Sequence, residues 1–142
     1  MRTITFLLAV MAFLMSGCAT TRYGNYVQGD EAQQAILAHD AATQLVALFP
    51  PAKTRIALQQ PTLDAFGAAL VKNLRKQGYA VVEFNPKAKG DDADMPLQYV
   101  FDNAGSGDLY RITLLLGDQS ITRPYVAEHG TYEPAGYWAR KE

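Results

Sequence analysis

The chain has few of the residues that usually carry chemistry: one cysteine, one tryptophan and two histidines among 142 residues. A single thiol closes no intramolecular disulfide, so the fold has to rest on its apolar core. His39 and His129 lie far apart and neither belongs to a motif, and no set of Cys, His or carboxylate residues has zinc-ligand spacing. Nucleophilic catalysis needs a Ser or Cys beside a base that a third group orients; the sequence offers no such arrangement, and an enzyme is not expected. Charge of one sign is missing too. Lys and Arg number 13 against 14 Asp and Glu, a net charge of −1 with no basic block, which argues against nucleic acid as a partner. After Met15 no apolar run approaches the roughly 20 residues that cross a bilayer.

The one apolar run that is present is informative. Met1-Arg2 is followed by Ile4 to Met15 and then by Ser16-Gly17-Cys18. One positive charge, an apolar segment of about a dozen residues and a small-residue cleavage site make a secretory signal peptide over residues 1–17. The only cysteine falls on the expected cut site, which is the lipobox of a bacterial lipoprotein; Met15 stands where Leu is usual, with Leu14 one place early. In that chemistry Cys18 receives an S-diacylglycerol and, after cleavage, an N-acyl chain. No other cofactor is expected. Each buried methylene contributes roughly 0.8 kcal/mol, so one chain holds a protein marginally and several hold it stably. Ala19 follows the cysteine, where Asp would signal retention in the inner membrane, so the expected location is the periplasmic face of the outer membrane. Loss of Arg2 leaves the mature chain slightly more acidic.

Residues 18–29 form a polar, Gly-punctuated tether. Two readings stay open for it: a flexible spacer, or a segment that orders against a partner through Tyr23, Tyr26 and Val27, as an added strand does. Residues 30–142 are expected to fold as one small α+β domain, two helices packed on a mostly antiparallel sheet. Asp30 caps a first helix whose apolar face runs through Ile36, Ala38, Ala41, Ala42, Leu45, Leu48 and Phe49, with His39 and Asp40 toward solvent. Pro50-Pro51 ends it. Lys53 to Leu58 alternates enough for a strand with Ile56 and Leu58 inward. Thr62 is the expected cap of a second helix with Leu63, Phe66, Leu70, Val71 and Leu74 buried and Gly78 at its C-terminal end; Lys72, Arg75 and Lys76 suit the dipole of its last turn.

Strands are expected over Tyr79 to Phe84, Leu97 to Asp102, Asp108 to Leu116 and Gln119 to Tyr125, the last two joined as a hairpin at Gly117-Asp118. Asp91, Asp92 and Asp94 resemble the start of a calcium loop, but the glycine precedes them and no closing Glu follows; they are read as a solvated acidic loop balanced by Lys87 and Lys89, with no metal. No spacing singles out a glycosidase pair. The last stretch, Tyr125 to Glu142, holds Tyr132, Tyr137 and Trp138 among turn residues. Tyr137 and Trp138 either close over the sheet as a lid or form an exposed anchor for another protein.

Together with the lipobox, three stretches resemble the TrbH family: Tyr23-Gly24-Asn25-Tyr26-Val27, Phe49-Pro50-Pro51-Ala52-Lys53-Thr54-Arg55, and Pro134-Ala135-Gly136-Tyr137-Trp138-Ala139-Arg140-Lys141-Glu142. These are lipoproteins of plasmid conjugation systems, and the resemblance covers nearly the whole chain. It implies a scaffold lipoprotein of a type IV secretion channel for mating-pair formation, with Cys18 as the lipid attachment residue. The implied partners are the outer-membrane core-complex proteins of that channel; the residues' own apolar and aromatic character, not the resemblance, offers Tyr23, Tyr26, Val27, Tyr137 and Trp138 as the contacts. Fold-level analogy to small ring-forming domains adds a ring of copies. The alternative is a cell-wall-binding or surface-exclusion lipoprotein with an aromatic groove around Tyr132, Tyr137 and Trp138.

Overall fold

A computed structural model describes residues 22–105 and 107–142; the expected signal peptide and Cys18 lie outside the described residues. Among these, two helices pack on one sheet of eight strands.

Helix α1 (Glu31–Leu48) starts where the Asp30 carboxylate accepts the Ala32 N–H at 2.8 Å. Its buried stripe is Gln34, Leu37, Ala38, Ala41, Ala42 and Leu45. Ala38, Ala41, Ala42 and Leu45 are buried as expected and Leu48 and Phe49 pack partly buried against the core, but Leu37 takes the place of Ile36, which is 58% exposed. Small alanines at the contact let α2 and the sheet approach closely. A short 3₁₀ turn, Pro51–Lys53, follows.

Helix α2 (Ala65–Lys76) is capped by Asp64, whose carboxylate accepts the Gly67 N–H at 2.8 Å. The expected cap, Thr62, lies two residues too early, so Leu63 sits outside the helix and is 95% exposed instead of buried. Asp64 is preferred because the same carboxylate also accepts the Tyr99 hydroxyl. At the other end the Gly78 N–H reaches the Arg75 carbonyl and the Tyr79 N–H reaches the Leu74 carbonyl, with Gly78 at φ +97°. This is a Schellman motif, and its left-handed position explains the glycine.

The strands are β1 (Gly24–Asn25), β2 (Arg55–Leu58), β3 (Ala80–Val82), β4 (Met95–Asn103), β5 (Leu109–Leu116), β6 (Gln119–Glu128), β7 (Thr131–Pro134) and β8 (Ala139–Lys141). The main order is β3-β2-β4-β5-β6-β7, with β1 also on β4 and β8 also on β6. β4 to β8 pair antiparallel, and the β5–β6 hairpin closes at Gly117-Asp118 with Leu116 opposite Gln119. β2 pairs parallel with both β3 and β4. The β2–α2–β3 crossover has no glycine-rich loop, because Gln59 to Leu63 joins β2 to the cap of α2. Strand β1, parallel to β4, falls inside the stretch read as tether.

Burial alternates along the central strands as a half-covered sheet requires. Leu97, Tyr99, Phe101, Ile112, Leu114, Ile121 and Tyr125 are buried under the helices, with Phe66, Leu70 and Leu74 of α2 against them. Phe66 packs tilted on Tyr99 and Phe101 at ring separations of 5.3 and 5.5 Å. Gln98, Val100, Thr113, Leu115 and Thr122 face the other way and are half-exposed.

Candidate functional site

The segments singled out in the sequence settle on opposite edges of the sheet. At the first edge, Gly24 and Asn25 lie beside Val100 and Phe101, and the Tyr26 N–H donates to the Phe101 carbonyl at 2.8 Å. Gln34 of α1, 3% exposed, secures this arrangement. Its Oε1 accepts Asn25 Nδ2 at 2.7 Å, and its Nε2 donates to the Val27 carbonyl at 3.3 Å. Asn25 Oδ1 in turn accepts the Val27 N–H at 2.8 Å. Val27 packs against the core, Tyr23 is half-buried and Tyr26 is 54% exposed. A buried glutamine in the apolar stripe of α1 is the signal in the sequence for this contact. It reads as a defect in the stripe until the extended backbone of residues 25–27 supplies its partners.

At the opposite edge β8 pairs with Ser120 to Thr122 of β6, and β7 pairs with Tyr125 to Glu128. Between them Arg123 anchors the returning chain. Its Nε donates to the Gly136 carbonyl at 2.9 Å and its Nη1 to Asp40 of α1 at 2.9 Å. The Tyr125 hydroxyl donates to the same carboxylate at 2.5 Å, and the Arg123 guanidinium lies 5.7 Å from the Tyr125 ring centre. Asp40 was expected on the solvent side of α1; it instead joins α1, β6 and the C-terminal segment. Burial, and then the hydrogen bond to Asp40, push the Tyr125 phenol well above its ordinary value. The Asp40 carboxylate is engaged by two donors.

This clamp divides the aromatic pair at the C-terminus. Trp138 is partly buried against the core, with its Nε1 buried and without a hydrogen-bond partner among the described residues. Tyr137, its neighbour, is 92% exposed. Trp138 is therefore the lid and Tyr137 the exposed residue. Tyr132 points inward and meets Tyr110 and Phe101 edge-on at 5.0 and 5.9 Å, so it does not share a groove wall with Tyr137. A cleft of about 320 Å³ between α1 and β7 is lined by Ile36, Asp40, Tyr125, Tyr132 and Glu133 among others. Its chemistry is that of the clamp.

The remaining polar candidates are separate. His39 is exposed and its Nδ1 lies 3.2 Å from Asn73 Oδ1; His129 occupies the β6–β7 turn at φ +52°. Arg55, not Lys87 and Lys89, balances the acidic loop. Its guanidinium binds Asp91 at 2.8 Å and also Asp94. The Ala93 N–H, ahead of Arg55, holds the Asp91 carboxyl below its ordinary value. Among the described residues no group of His, Cys, Asp and Glu is placed to hold a metal ion, and no helix is long and apolar enough to cross a membrane.

No curated protein and no solved structure matches the chain. The family model described as conjugal transfer protein TrbH matches residues 20–142, a span that includes both sheet edges, the Asp40 clamp and Trp138. By that match the chain belongs to the TrbH family of conjugal transfer proteins.

Proposed function

We propose that this protein is a lipoprotein of the outer membrane, facing the periplasm, that serves as a non-enzymatic scaffold in a conjugative type IV secretion channel. Membership of a conjugal transfer family implies a role in conjugation. The observation that carries the finer reading is Cys18: the chain's only thiol stands at the end of its only long apolar run, on the cut site of a signal peptide. Lipid on Cys18 tethers the domain, and tethering raises its effective concentration near neighbouring channel proteins, so individually weak contacts sustain an assembly.

Tyr137 and Tyr26, exposed on opposite edges, are the residues best placed to contact partners, with Tyr23 beside Tyr26. Val27 and Trp138 support them from the core side. Two contact points on opposite edges suit a subunit that touches neighbours on both sides, as copies in a ring around the channel do. The partners in this reading are the outer-membrane core-complex proteins.

Replacing Cys18 by Ser tests the anchor. The expected result is a correctly folded domain, read by Trp138 fluorescence, with plasmid transfer reduced at least tenfold. Normal transfer by that variant would overturn the anchoring role.

A further inference from the structure

The tether leaves little slack between lipid and fold. Arg22 is the first described residue and Gly24 is already paired with β4. Only Ala19, Thr20 and Thr21 separate Cys18 from Arg22, and a chain extends at most about 3.6 Å per residue, so Arg22 stays within about 15 Å of a lipidated Cys18. The side of the sheet on which β1 and β2 flank β4 therefore lies toward the bilayer. The β7 edge is four strand spacings away across β4, β5 and β6, about 19 Å.

What the near edge presents is apolar and firmly held. β2 ends at Leu58; beyond it the Gln59 N–H still reaches the Leu97 carbonyl at 3.0 Å, and Gln60 Oε1 accepts the Tyr99 N–H at 3.0 Å. The next residue of β4, Val100, lies beside Gly24. The turn from Gln59 to Asp64 thus fills the gap between β2 and β1. Asp64 fixes its far end by capping α2 and accepting the Tyr99 hydroxyl. Held at both ends, the turn projects Leu63, at 95% the most exposed large apolar side chain among the described residues. Pro61 beside it is exposed. On the other side Phe84, 37% exposed, shares a cleft with Gln59. A single exposed leucine needs no explanation. This one stands on a turn held at both ends, where a lipid anchor arrives, and Arg22 adds a cation that suits anionic headgroups.

We infer that the Gln59–Asp64 turn, with Leu63 at its tip, is a membrane-contacting surface that seats in the interfacial layer of the bilayer holding Cys18. The domain is thereby oriented, with the β7 and β8 edge turned away from lipid and free for protein contacts. This inference rests on the lipidation proposed above.

Because lipid occupies the only native thiol, Leu63→Cys in the full-length lipidated protein offers one free thiol for a polarity-sensitive fluorophore, and Glu133→Cys on β7 offers the same at the opposite edge. Both proteins are placed in vesicles of phosphatidylethanolamine and phosphatidylglycerol, and intact-mass measurement verifies the lipid on Cys18. The expected result is blue-shifted emission at position 63 and quenching by lipid-borne quenchers several-fold stronger than at position 133. With lipid verified, water-like emission at both positions would overturn the inference. A shift at position 63 seen only in membranes carrying the other transfer proteins would also overturn it, by making the turn a protein contact. A chain without lipid on Cys18 would instead contradict the anchoring reading.

Discussion

Replacing Gly67 by Ala should destabilise the domain, although intrinsic helix propensity points the other way. A glycine-to-alanine change inside a helix ordinarily gains up to about 1 kcal/mol. At Gly67, in the first turn of α2, an added Cβ would stand 2.0 Å from Tyr99 Oη, 2.8 Å from Tyr99 Cζ and 3.1 Å from Thr62 Cα. Tyr99 is fully buried between Phe66 and the sheet and cannot swing into solvent. Forcing its ring aside carries an overpacking cost of about 1–3 kcal/mol. Moving its hydroxyl off the Asp64 carboxylate loses a hydrogen bond to a charged group, about 1.5–3 kcal/mol more. Net of propensity, the loss is about 2–4 kcal/mol, which for a domain of this size lowers the Tm by about 8–15 °C. The assay is thermal and urea unfolding of the chain from residue 20 onward, followed by the fluorescence of the lone Trp138. In a Tyr99→Phe background the closest contact is gone while the Cζ contact remains, so the cost of Gly67→Ala should fall by about 1–2 kcal/mol without vanishing. Unchanged or higher stability of Gly67→Ala would refute the placement of Tyr99 over the first turn of α2.

Asp40→Asn removes the charge that joins Arg123 and Tyr125 to α1. With the two ion-pair side chains 33% and 19% exposed, the loss should be about 1–2 kcal/mol in urea unfolding. Gln34→Ala should release β1 selectively, so that the Tyr26 amide exchanges hydrogen much faster while the Trp138 emission maximum stays put. Alkaline pH supplies another test. The phenols of Tyr99 and Tyr125 are raised above the ordinary 10.0, chiefly by burial, so the folded state retains protons that the unfolded state releases. Their contribution is fully present below pH 10 and is lost as pH rises above it. The domain should therefore lose stability steeply above about pH 10. Tyr125→Phe should flatten that slope, measured by urea midpoints against pH; a slope unchanged by the substitution would count against a protonated, buried Tyr125.

Local signals carried much of the architecture. Asp30 as a cap, Gly78 as a left-handed helix end and Gly117-Asp118 as a hairpin each depend on a few adjacent residues, and each stands where the sequence places it. The departures have non-local causes. Asp64 displaces Thr62 as the cap because Tyr99, 35 positions away, shares its carboxylate. That two-residue shift alone puts Leu63 outside the helix. Asp40 turns inward because Arg123 and Tyr125 meet it from 83 and 85 positions away, and no local period reports such a contact. Strand β1 is too short to show alternation and exists through Gln34 and the free edge of β4. Tyr137 and Trp138 divide because Trp138 packs against the core just ahead of β8 while Tyr137 stays 92% exposed, so a lid and an exposed residue occur in one dipeptide. The parallel pairing of β2 with β4 is likewise invisible in β2 itself, whose buried Ile56, Ala57 and Leu58 form an uninterrupted apolar run.

The central claim, a lipid-anchored scaffold of a conjugation channel, is tested most directly by a crosslinked pull-down of the full-length lipidated protein from donor cells, with the captured proteins identified and counted by mass spectrometry. The account predicts recovery of outer-membrane channel subunits in a fixed ratio, lost when Tyr26 and Tyr137 are both replaced by Ser. Recovery of the lipoprotein alone, or only with cell-wall material, would contradict it.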